Sequence, residues 1–275
     1  MRQYISKSFP DKNGLLAIEG KDFRYLKQVL RIAVGDMVSV RLPDGSLSET
    51  TVCKIDEHSK RVLLQVCTVD SGSSDGVTGG LSGFSVEAGA IQVKPLDFWL
   101  FMFVPKPSKF DLIVRQATEC GISRIIPVSS EFSQSGADRM NFRGERFSRI
   151  IKEARQQCGS AVDTHVEDCC SVEEACRMWS ESSQENAFGC VCYERSDFTM
   201  PVHAAVAGVP KIERCALVCG AEGGISPAEI EQLKDSGFVP VHFETNILRC
   251  ETAALYGIAV VQNAVREKNI WQSNG

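Results

Sequence analysis

Residues 217–227 read Leu-Val-Cys-Gly-Ala-Glu-Gly-Gly-Ile-Ser-Pro, and this stretch decides the fold. The apolar run Ile212 to Cys219 predicts a strand, and the glycines that follow predict its end. Ser226 is suited to cap a helix, with Pro227 in the first helical position and Glu229 three residues after the cap. A strand that ends in glycines and leads into a helix is where α/β proteins bind ligands, because glycine lets a backbone approach a bound molecule closely.

A second stretch, Asn246 to Ala253, repeats this arrangement and reads Asn-Ile-Leu-Arg-Cys-Glu-Thr-Ala. The strand pattern Phe238 to Phe243 precedes it, and a helix is predicted to begin near Cys250. Two small-residue loops beside each other predict a pocket; the alternative interpretation is two ordinary strand-to-helix turns. A P-loop is excluded, because no Gly-Lys-Ser/Thr follows the glycines and Glu222 would repel phosphate.

Strand and helix patterns alternate from Leu96 onward, which predicts an α/β unit with a mostly parallel sheet. The further predicted strands are 97–104, 124–128 and 188–193. The further predicted helices are one capped by Ser108, one at 143–157 and one at 172–179. The glycine loops lie near the end of this alternation, so the predicted pocket belongs to the larger, carboxyl-terminal part of the chain.

The amino-terminal part, residues 1–69, predicts a small β-rich domain, because strand patterns alternate with turn signals such as Pro43-Asp44-Gly45. Within it, 23–31 predicts a short helix with four apolar residues facing inward: Phe23, Leu26, Val29 and Leu30. The Ser- and Gly-rich residues 70–94 predict a linker, and residues 95–275 the second domain.

Charge is distributed unevenly between these parts. Residues 1–68 carry 11 Lys and Arg against 8 Asp and Glu, although the whole chain has a net charge of −5. The acidic total argues against a general polyanion binder. The basic amino-terminal part is compatible with RNA contact, and equally with an ordinary solvated domain.

The cysteine content and the apolar runs of the sequence indicate the cellular compartment of the protein. Twelve cysteines would suggest disulfides in a short secreted protein, but Met1-Arg2-Gln3-Tyr4 leads straight into mixed polar sequence without the pattern of a signal peptide. No apolar run approaches the roughly 20 residues that span a membrane. The close cysteine pairs lack the spacing of common zinc sites, and no histidine has a partner at helical spacing, so no metal is predicted. These features predict a cytoplasmic protein.

Five motifs in order resemble the RsmE family of 16S rRNA (uracil-N3)-methyltransferases, which belongs to the SPOUT class. The family's Gly-Pro-Glu-Gly-Gly loop corresponds to Gly220–Gly224, and its Leu-Arg-Thr-Glu-Thr-Ala segment to Leu248–Ala253. The other three motifs lie at Gln28–Arg31, Gln116–Ile122 and Gln156–Gly159. One such motif would be a weak signal, but five in the family's order form a specific one.

The resemblance implies a SPOUT-type, mostly parallel sheet with a carboxyl-terminal trefoil knot, preceded by a small PUA-like β-barrel domain that binds RNA. It implies transfer of a methyl group from S-adenosylmethionine to N3 of a specific uridine in 16S rRNA, within the small ribosomal subunit, by a homodimer. The knot and the dimer come from the resemblance alone.

The two stretches and the resemblance together assign candidate site residues. The cofactor-binding candidates are Leu217, Val218, Gly220, Glu222, Gly223, Gly224, Ile247, Leu248, Arg249, Thr252 and Ala253. The catalytic candidates are Arg249, to hold phosphate or the uracil oxygens, and Glu222 and Glu251, to take a proton or to position the backbone. For Glu251 an alternative of at least equal weight is that the carboxylate, in the first helical turn, only interacts favourably with the helix dipole. The RNA-binding candidates are Arg2, Arg24, Arg31, Lys106, Lys109, Arg115 and Gln157.

The chain departs from the family pattern at four positions: Ala221 replaces a proline, Cys250 a threonine, and Asn246 and Ser160 replace arginines. The donor pocket is therefore better supported than the acceptor site. Three other functions remain open. The enzyme could methylate another RNA position, or the chain could bind RNA with little catalysis. A nucleotide-binding oxidoreductase is the most distant alternative, because no Gly-x-Gly-x-x-Gly fingerprint is present.

Overall fold

The computed structural model describes residues 3–67, 96–133, 140–142, 144–182, 185–194 and 198–273. The chain divides into two compact units, with the division between Pro95 and Leu96. The predicted linker, residues 70–94, lies outside the described residues. Each unit has its own sheet and its own hydrophobic core.

The amino-terminal unit is a curled, mixed five-stranded sheet with the order β1-β3-β4-β5-β2. Its elements are β1 (Gln3–Ile5), β2 (Leu15–Glu19), α1 (Gly20–Arg24), a π-helical segment (Tyr25–Leu30), β3 (Met37–Arg41), β4 (Leu47–Asp56) and β5 (Arg61–Val66). β1 pairs with β3 in parallel, and the other described pairs are antiparallel. The sequence patterns at 37–42, 52–55 and 61–69 predict strands that correspond to β3, β4 and β5, whereas no pattern predicts β1 or β2.

The predicted helix of this unit differs in its second half. Phe23 and Leu26 are buried and Leu30 is partly buried, as expected, but Val29 is 43% exposed. The reason is the π-helix, in which hydrogen bonds run from i to i+5. Because its turn is wider, successive side chains point in other directions than in an α-helix. The prediction from α-helical spacing, that Val29 faces inward, is therefore wrong.

The carboxyl-terminal unit is built on a seven-stranded sheet with the order β10-β12-β9-β11-β6-β7-β8, and every described pair in it is parallel. The strands are β6 (Asp97–Phe103), β7 (Arg124–Val128), β8 (His165–Val166), β9 (Ala187–Cys192), β10 (Met200–Pro201), β11 (Arg214–Cys219) and β12 (Phe238–His242). The helices are α2 (Pro107–Glu119), α3 (Glu145–Cys158), α4 (Val172–Ser182), α5 (Val202–Ala207), α6 (Pro227–Asp235) and α7 (Cys250–Ser273). The predicted α/β class and mostly parallel sheet are confirmed.

Helices cover both faces of this sheet. Alternate residues of β6 point to opposite faces: Phe98, Leu100 and Met102 pack in one cluster with α2, α3 and α7. Trp99 and Phe101 pack in the other cluster with α4 and α6. Burial on both faces explains why β6 reads as an unbroken apolar run. Among the helices of the described residues, none is long and apolar enough to cross a membrane.

The start of α2 differs from the prediction. Ser108 lies inside the helix, Pro107 occupies the first turn and Lys106 is the N-cap residue, without a side-chain cap. Proline favours the first helical position, because its missing N–H would have no partner there. The helix therefore begins before the serine that resembled a cap.

The start of α6 matches the prediction in full. Ser226 caps the helix, Pro227 lies in its first turn, and Ser226 and Glu229 form a capping box. Glu229 is buried, and its carboxylate accepts hydrogen bonds from the backbone N–H of Ser226 at 2.9 Å and of Glu131 at 2.8 Å. One side chain thus fastens the end of the glycine loop to the segment that follows β7.

Gly189 in β9 provides a test of packing. A Cβ atom there would lie 2.8 Å from Nε1 of Trp179 and 2.9 Å from Cδ1 of Phe238. We expect Gly189→Ala to lower the free energy of unfolding by about 1–3 kcal/mol, because the two rings have no room for the methyl group. Urea titration followed by Trp fluorescence measures it. Gly208→Ala is the matched control: its nearest neighbour atom would be 3.7 Å away at a φ of −70°, so equal losses in both variants would contradict the packing.

Glu229 provides a test of the loop attachment. Glu229→Ala leaves two backbone N–H groups without their acceptor, so we expect a loss of about 1–3 kcal/mol for each donor that stays buried. Glu231→Ala, on the same helix but in an exposed ion pair with Lys234, is expected to change stability by about 0.5 kcal/mol or less. A loss in Glu229→Ala no larger than in Glu231→Ala would show that Glu229 does not fasten the loop.

Candidate active site

A pocket of about 340 Å³ opens at the carboxyl ends of three adjacent parallel strands, β9, β11 and β12. Parallel strands direct the loops that follow them to the same edge of a sheet, which is the usual ligand edge of α/β folds. The residues that line the pocket are Lys109, 192–194, 220–225, 241–243, 245–250 and Ala253. Both loops singled out in the sequence therefore contribute to one pocket.

The glycine loop 220–224 is folded tightly on itself. The backbone N–H of Gly224 donates to the carbonyl of Ala221 at 3.0 Å, and Gly224 has a φ of +80°. A Cβ atom at Gly220 would lie 2.8 Å from the carbonyl carbon of Gly224. A Cβ atom at Gly223 would lie 2.6 Å from Cβ of Phe132. Each glycine is therefore required by a backbone conformation or by a close approach.

The second loop leads from β12 into α7 and is open to solvent. Ile247 is 86% exposed, and Asn246 and Arg249 are also exposed. Within the described residues, the Arg249 side chain makes no hydrogen bond or ion pair. An exposed guanidinium at the mouth of a pocket can bind an anionic or carbonyl group of a ligand.

Lys109, on the first turns of α2, connects the two loops. Its Nζ lies 3.4 Å from Oε1 of Glu222 in the glycine loop and 3.2 Å from Oε2 of Glu251 at the start of α7. Glu222 also accepts a hydrogen bond from the backbone N–H of Lys106 at 3.3 Å. Three segments that are distant in the sequence thus meet at one ammonium group.

These contacts keep both carboxylates ionised. Burial raises the pKa of Glu222, but hydrogen bonds from its own backbone N–H and from that of Lys106, with the ammonium of Lys109, lower the pKa below the ordinary value overall. The pKa of Glu251 is lowered by its own backbone N–H first, and also by Cys250 and Lys109. The pKa of Lys109 is raised, with its hydrogen bond to Glu251 as the main cause. All three groups carry their full charge at neutral pH.

Cys250 lies inside the same cluster as a neutral thiol. Its Sγ is 3.2 Å from Oε2 of Glu251 and 3.8 Å from Nζ of Lys109. Burial, followed by the contact with Glu251, raises its pKa to about 11. The thiol therefore donates a hydrogen bond to Glu251 and does not act as a nucleophile.

The structure gathers most, but not all, of the predicted cofactor residues. Gly220, Glu222, Gly223, Gly224, Ile247, Leu248, Arg249 and Ala253 line the pocket. Leu217 and Val218 do not, because they lie inside β11 and are fully buried on opposite faces of the sheet. Thr252 is exposed on the first turn of α7 and also lies outside the pocket lining.

The RNA-binding candidates divide into three groups. Arg2 lies outside the described residues. Arg24, Arg31, Lys106, Arg115 and Gln157 are exposed. Lys109 belongs to the pocket and not to an open face. Gln156, in the motif Gln156–Gly159, is buried, and its neighbour Arg155 is buried in an ion pair with Asp163, so neither side chain is open to RNA.

Sequence reasoning missed the contribution of β9 to the pocket. Cys192 is the last residue of this strand, and Tyr193 and Glu194 follow it; all three line the pocket together with the glycine loop. The available signal was the predicted strand 188–193, since a third parallel strand would end at the same edge. Within the described residues, no group of three or more His, Cys, Asp and Glu side chains is arranged to hold a metal ion.

Comparison with known proteins connects this site to a family. A model of the RNA methyltransferase domain matches residues 92–262. The ribosomal RNA small subunit methyltransferase E of Bacillus subtilis is 25% identical over 94% of this chain and 93% of its own length. A protein of the same name from Borreliella burgdorferi, numbered 2, is 24% identical over 94% of both chains.

A solved structure shares the whole fold. The ribosomal RNA small subunit methyltransferase E from Neisseria gonorrhoeae, bound to S-adenosyl methionine, superposes with a TM-score of 0.71 at 19% identity, over 96% of this chain and 97% of that one. The similarity extends across both units, and the family match covers the whole pocket. The chain belongs to the RNA methyltransferase domain family, as its resemblance to the RsmE enzymes predicted.

Proposed function

We propose that this protein transfers a methyl group from S-adenosylmethionine to N3 of a specific uridine in the 16S rRNA of the small ribosomal subunit. The observation that carries the proposal is the pocket itself, in which the glycine loop and the Arg249 segment meet at the edge of a parallel sheet. The family match and the relatives named for small-subunit rRNA methylation support the reaction and the RNA class.

The pocket suits the proposed donor. Its volume of about 340 Å³ lies within the range of small-molecule sites. Gly220 leaves backbone where a side chain would fill the loop, so main-chain groups are available to the edge of an adenine ring. Ile225 and Ala253 add apolar surface. When bound, adenosylmethionine supplies a methyl group on a sulfonium.

The chain's own residues then have two tasks. The first is alignment, because a direct displacement requires the two reactants in line. The second is control of charge, since uridine N3 must lose a proton before it can attack. Arg249 is placed to stabilise the negative charge that develops on the uracil oxygens. The proton from N3 passes to an ionised carboxylate, Glu222 or Glu251. Their lowered pKa makes them weak bases, so the transfer depends on Arg249 to stabilise the uracil anion that remains.

The remaining assignments follow from the resemblance and from exposure. We infer that the curled amino-terminal sheet is the PUA-like RNA-binding domain, that the end of the chain forms a trefoil knot, and that the enzyme acts as a homodimer in the cytoplasm. Arg24, Arg31, Lys106, Arg115 and Gln157 are exposed and can contact RNA, where phosphate contacts supply most non-specific affinity.

The methyl transfer assay tests the function directly. Labelled adenosylmethionine is incubated with unmodified 30S subunits and with bare 16S rRNA, and the product is mapped by mass spectrometry. We expect a single N3-methyluridine. Label on a ribose or on another base would show that the acceptor is not N3 of a uridine. Donor binding without transfer to any RNA would favour a catalytically weak RNA-binding protein.

Arg249→Ala tests the role of the guanidinium. We expect a fall in kcat of about 100-fold with little change in donor affinity, because stabilisation of the developing anion is lost. Arg177→Ala, which removes an exposed arginine from α4, is the control and should retain wild-type kcat. Equal kcat in the two variants would remove Arg249 from the mechanism.

Gly220→Ala tests the donor pocket. The added methyl group meets the backbone of Gly224 at 2.8 Å, so the loop has to open. Overpacking of this kind costs about 1–3 kcal/mol, which corresponds to a weakening of donor Kd by up to about 100-fold. Calorimetric titration with adenosylmethionine measures it, with Gly208→Ala as control. Unchanged donor affinity would place the donor elsewhere.

A further inference from the structure

We propose that Lys109 is a positioning residue that clamps the two pocket loops together through Glu222 and Glu251. The inference rests on the proposed function for its kinetic consequences, but the clamp itself is a property of the protein without ligand. Sequence reasoning placed Lys109 among the RNA-binding residues, and the geometry points to a different role.

Lys109 joins segments that are far apart in the sequence. Glu222 belongs to the glycine loop, Glu251 to the first turn of α7 just after Arg249, and Lys109 to α2. The ammonium is 3.4 Å from one carboxylate and 3.2 Å from the other. α2 is a rigid element whose apolar face is buried against the core. Lys109 therefore attaches both loops to the same rigid helix.

The three side chains of this cluster are largely shielded from solvent. The side chain of Lys109 is 26% exposed, and those of Glu222 and Glu251 are 31% and 17% exposed. A lysine that grips RNA phosphate needs a free ammonium at an open face. Here the ammonium is already engaged by two carboxylates within ion-pair distance, so its contribution to phosphate binding is reduced.

The charge balance of this cluster depends on Lys109. One lysine faces two carboxylates, and because both contact the same nitrogen, they lie close enough to repel each other without it. The other charged or titratable side chains among the residues that line the pocket are Cys192, Tyr193, Glu194, His242, Arg249 and Cys250, of which Cys250 contacts Glu251. Cys250 is neutral, with a pKa of about 11, so it does not replace the lost positive charge.

Lys109→Met is the variant that tests the clamp, and hydrogen exchange of the protein without ligand is the first readout. We expect amides in 220–224 and 245–251 to exchange faster than in the wild type, since each loop loses its attachment to α2. Lys211→Met removes one positive charge from an exposed ion pair with Glu213 and is the matched control. Unchanged exchange in the two loops of Lys109→Met would overturn the proposal.

Kinetics give the second readout. We expect kcat of Lys109→Met to fall by about 10- to 100-fold through misalignment of the loops, while Lys211→Met keeps the wild-type kcat. Lys109→Arg keeps the charge and can bridge both carboxylates, so it should restore most of the activity. It also keeps the test decisive if Lys109→Met unfolds. Loss of activity in Lys109→Arg equal to that in Lys109→Met, in a folded protein, would contradict a clamp based on charge.

The pH profile separates the clamp from simple packing. In the wild type burial raises the pKa of Glu222, but backbone N–H groups and, after them, the ammonium of Lys109 lower the pKa of both carboxylates, so the ionised pair persists at neutral pH. Without the cation the two carboxylates repel, the pKa of the pair rises, and activity that needs the ionised pair is lost as the pH falls through the raised value. We expect the acid limb of kcat in Lys109→Met to move to higher pH by about 1 unit or more. An unmoved limb would contradict the clamp.

Lys106→Met distinguishes the clamp from RNA binding. If Lys109 only contacts phosphate, Lys109→Met and Lys106→Met will behave alike, with a raised KM for RNA, a smaller salt dependence and no change in loop exchange; that result overturns the proposal. If the wild type transfers no methyl group to any RNA, the proposed function fails. The exchange measurement still decides the clamp in that case.

Discussion

The parallel pairing of β11 with β6 on one edge and β9 on the other is the constraint on which the site depends. It aligns Leu217 with Leu100 and with Cys190, so that the chain leaves all three strands at the same edge of the sheet. β11 is buried on both faces, so a shift in its register would move apolar side chains and unpair backbone groups. Close packing adds to this: a Cβ atom at Gly257 would lie 2.8 Å from Leu217, so α7 lies directly against the strand. The pocket is the space that this packing leaves where the strands end.

Local interactions could be predicted from the sequence, whereas contacts between distant segments could not. The capping box of Ser226 and Glu229 was predictable because its hydrogen bonds join residues three apart. The position of Val29 was not, because the change from α- to π-helix depends on the packing of the amino-terminal unit. The two glycine-containing stretches indicated that a pocket exists. They did not reveal that Lys109 completes it, since Lys109 and the two carboxylates that it contacts lie far apart in the sequence.

The departures from the family pattern are absorbed by local contacts at two positions. Ala221 replaces a proline, but the loop is closed by the hydrogen bond from Gly224 to the carbonyl of Ala221, so it stays compact without proline. Cys250 replaces a threonine, and its thiol contacts Glu251 at 3.2 Å, which is the contact a hydroxyl would make. Asn246 is different, because its side chain is exposed at the pocket and is uncharged, so it does not supply the positive charge of the arginine it replaces.

That difference concentrates the positive charge of the pocket mouth on Arg249. Lys109 is held by two carboxylates, whereas the Arg249 and Glu194 side chains make no ion pair within the described residues, although both line the pocket. The pocket thus offers one available cation and one available anion. A polyanion does not match that balance of charge. A pocket with one free guanidinium and one free carboxylate among its described residues therefore suits a single target base better than the phosphate backbone of RNA.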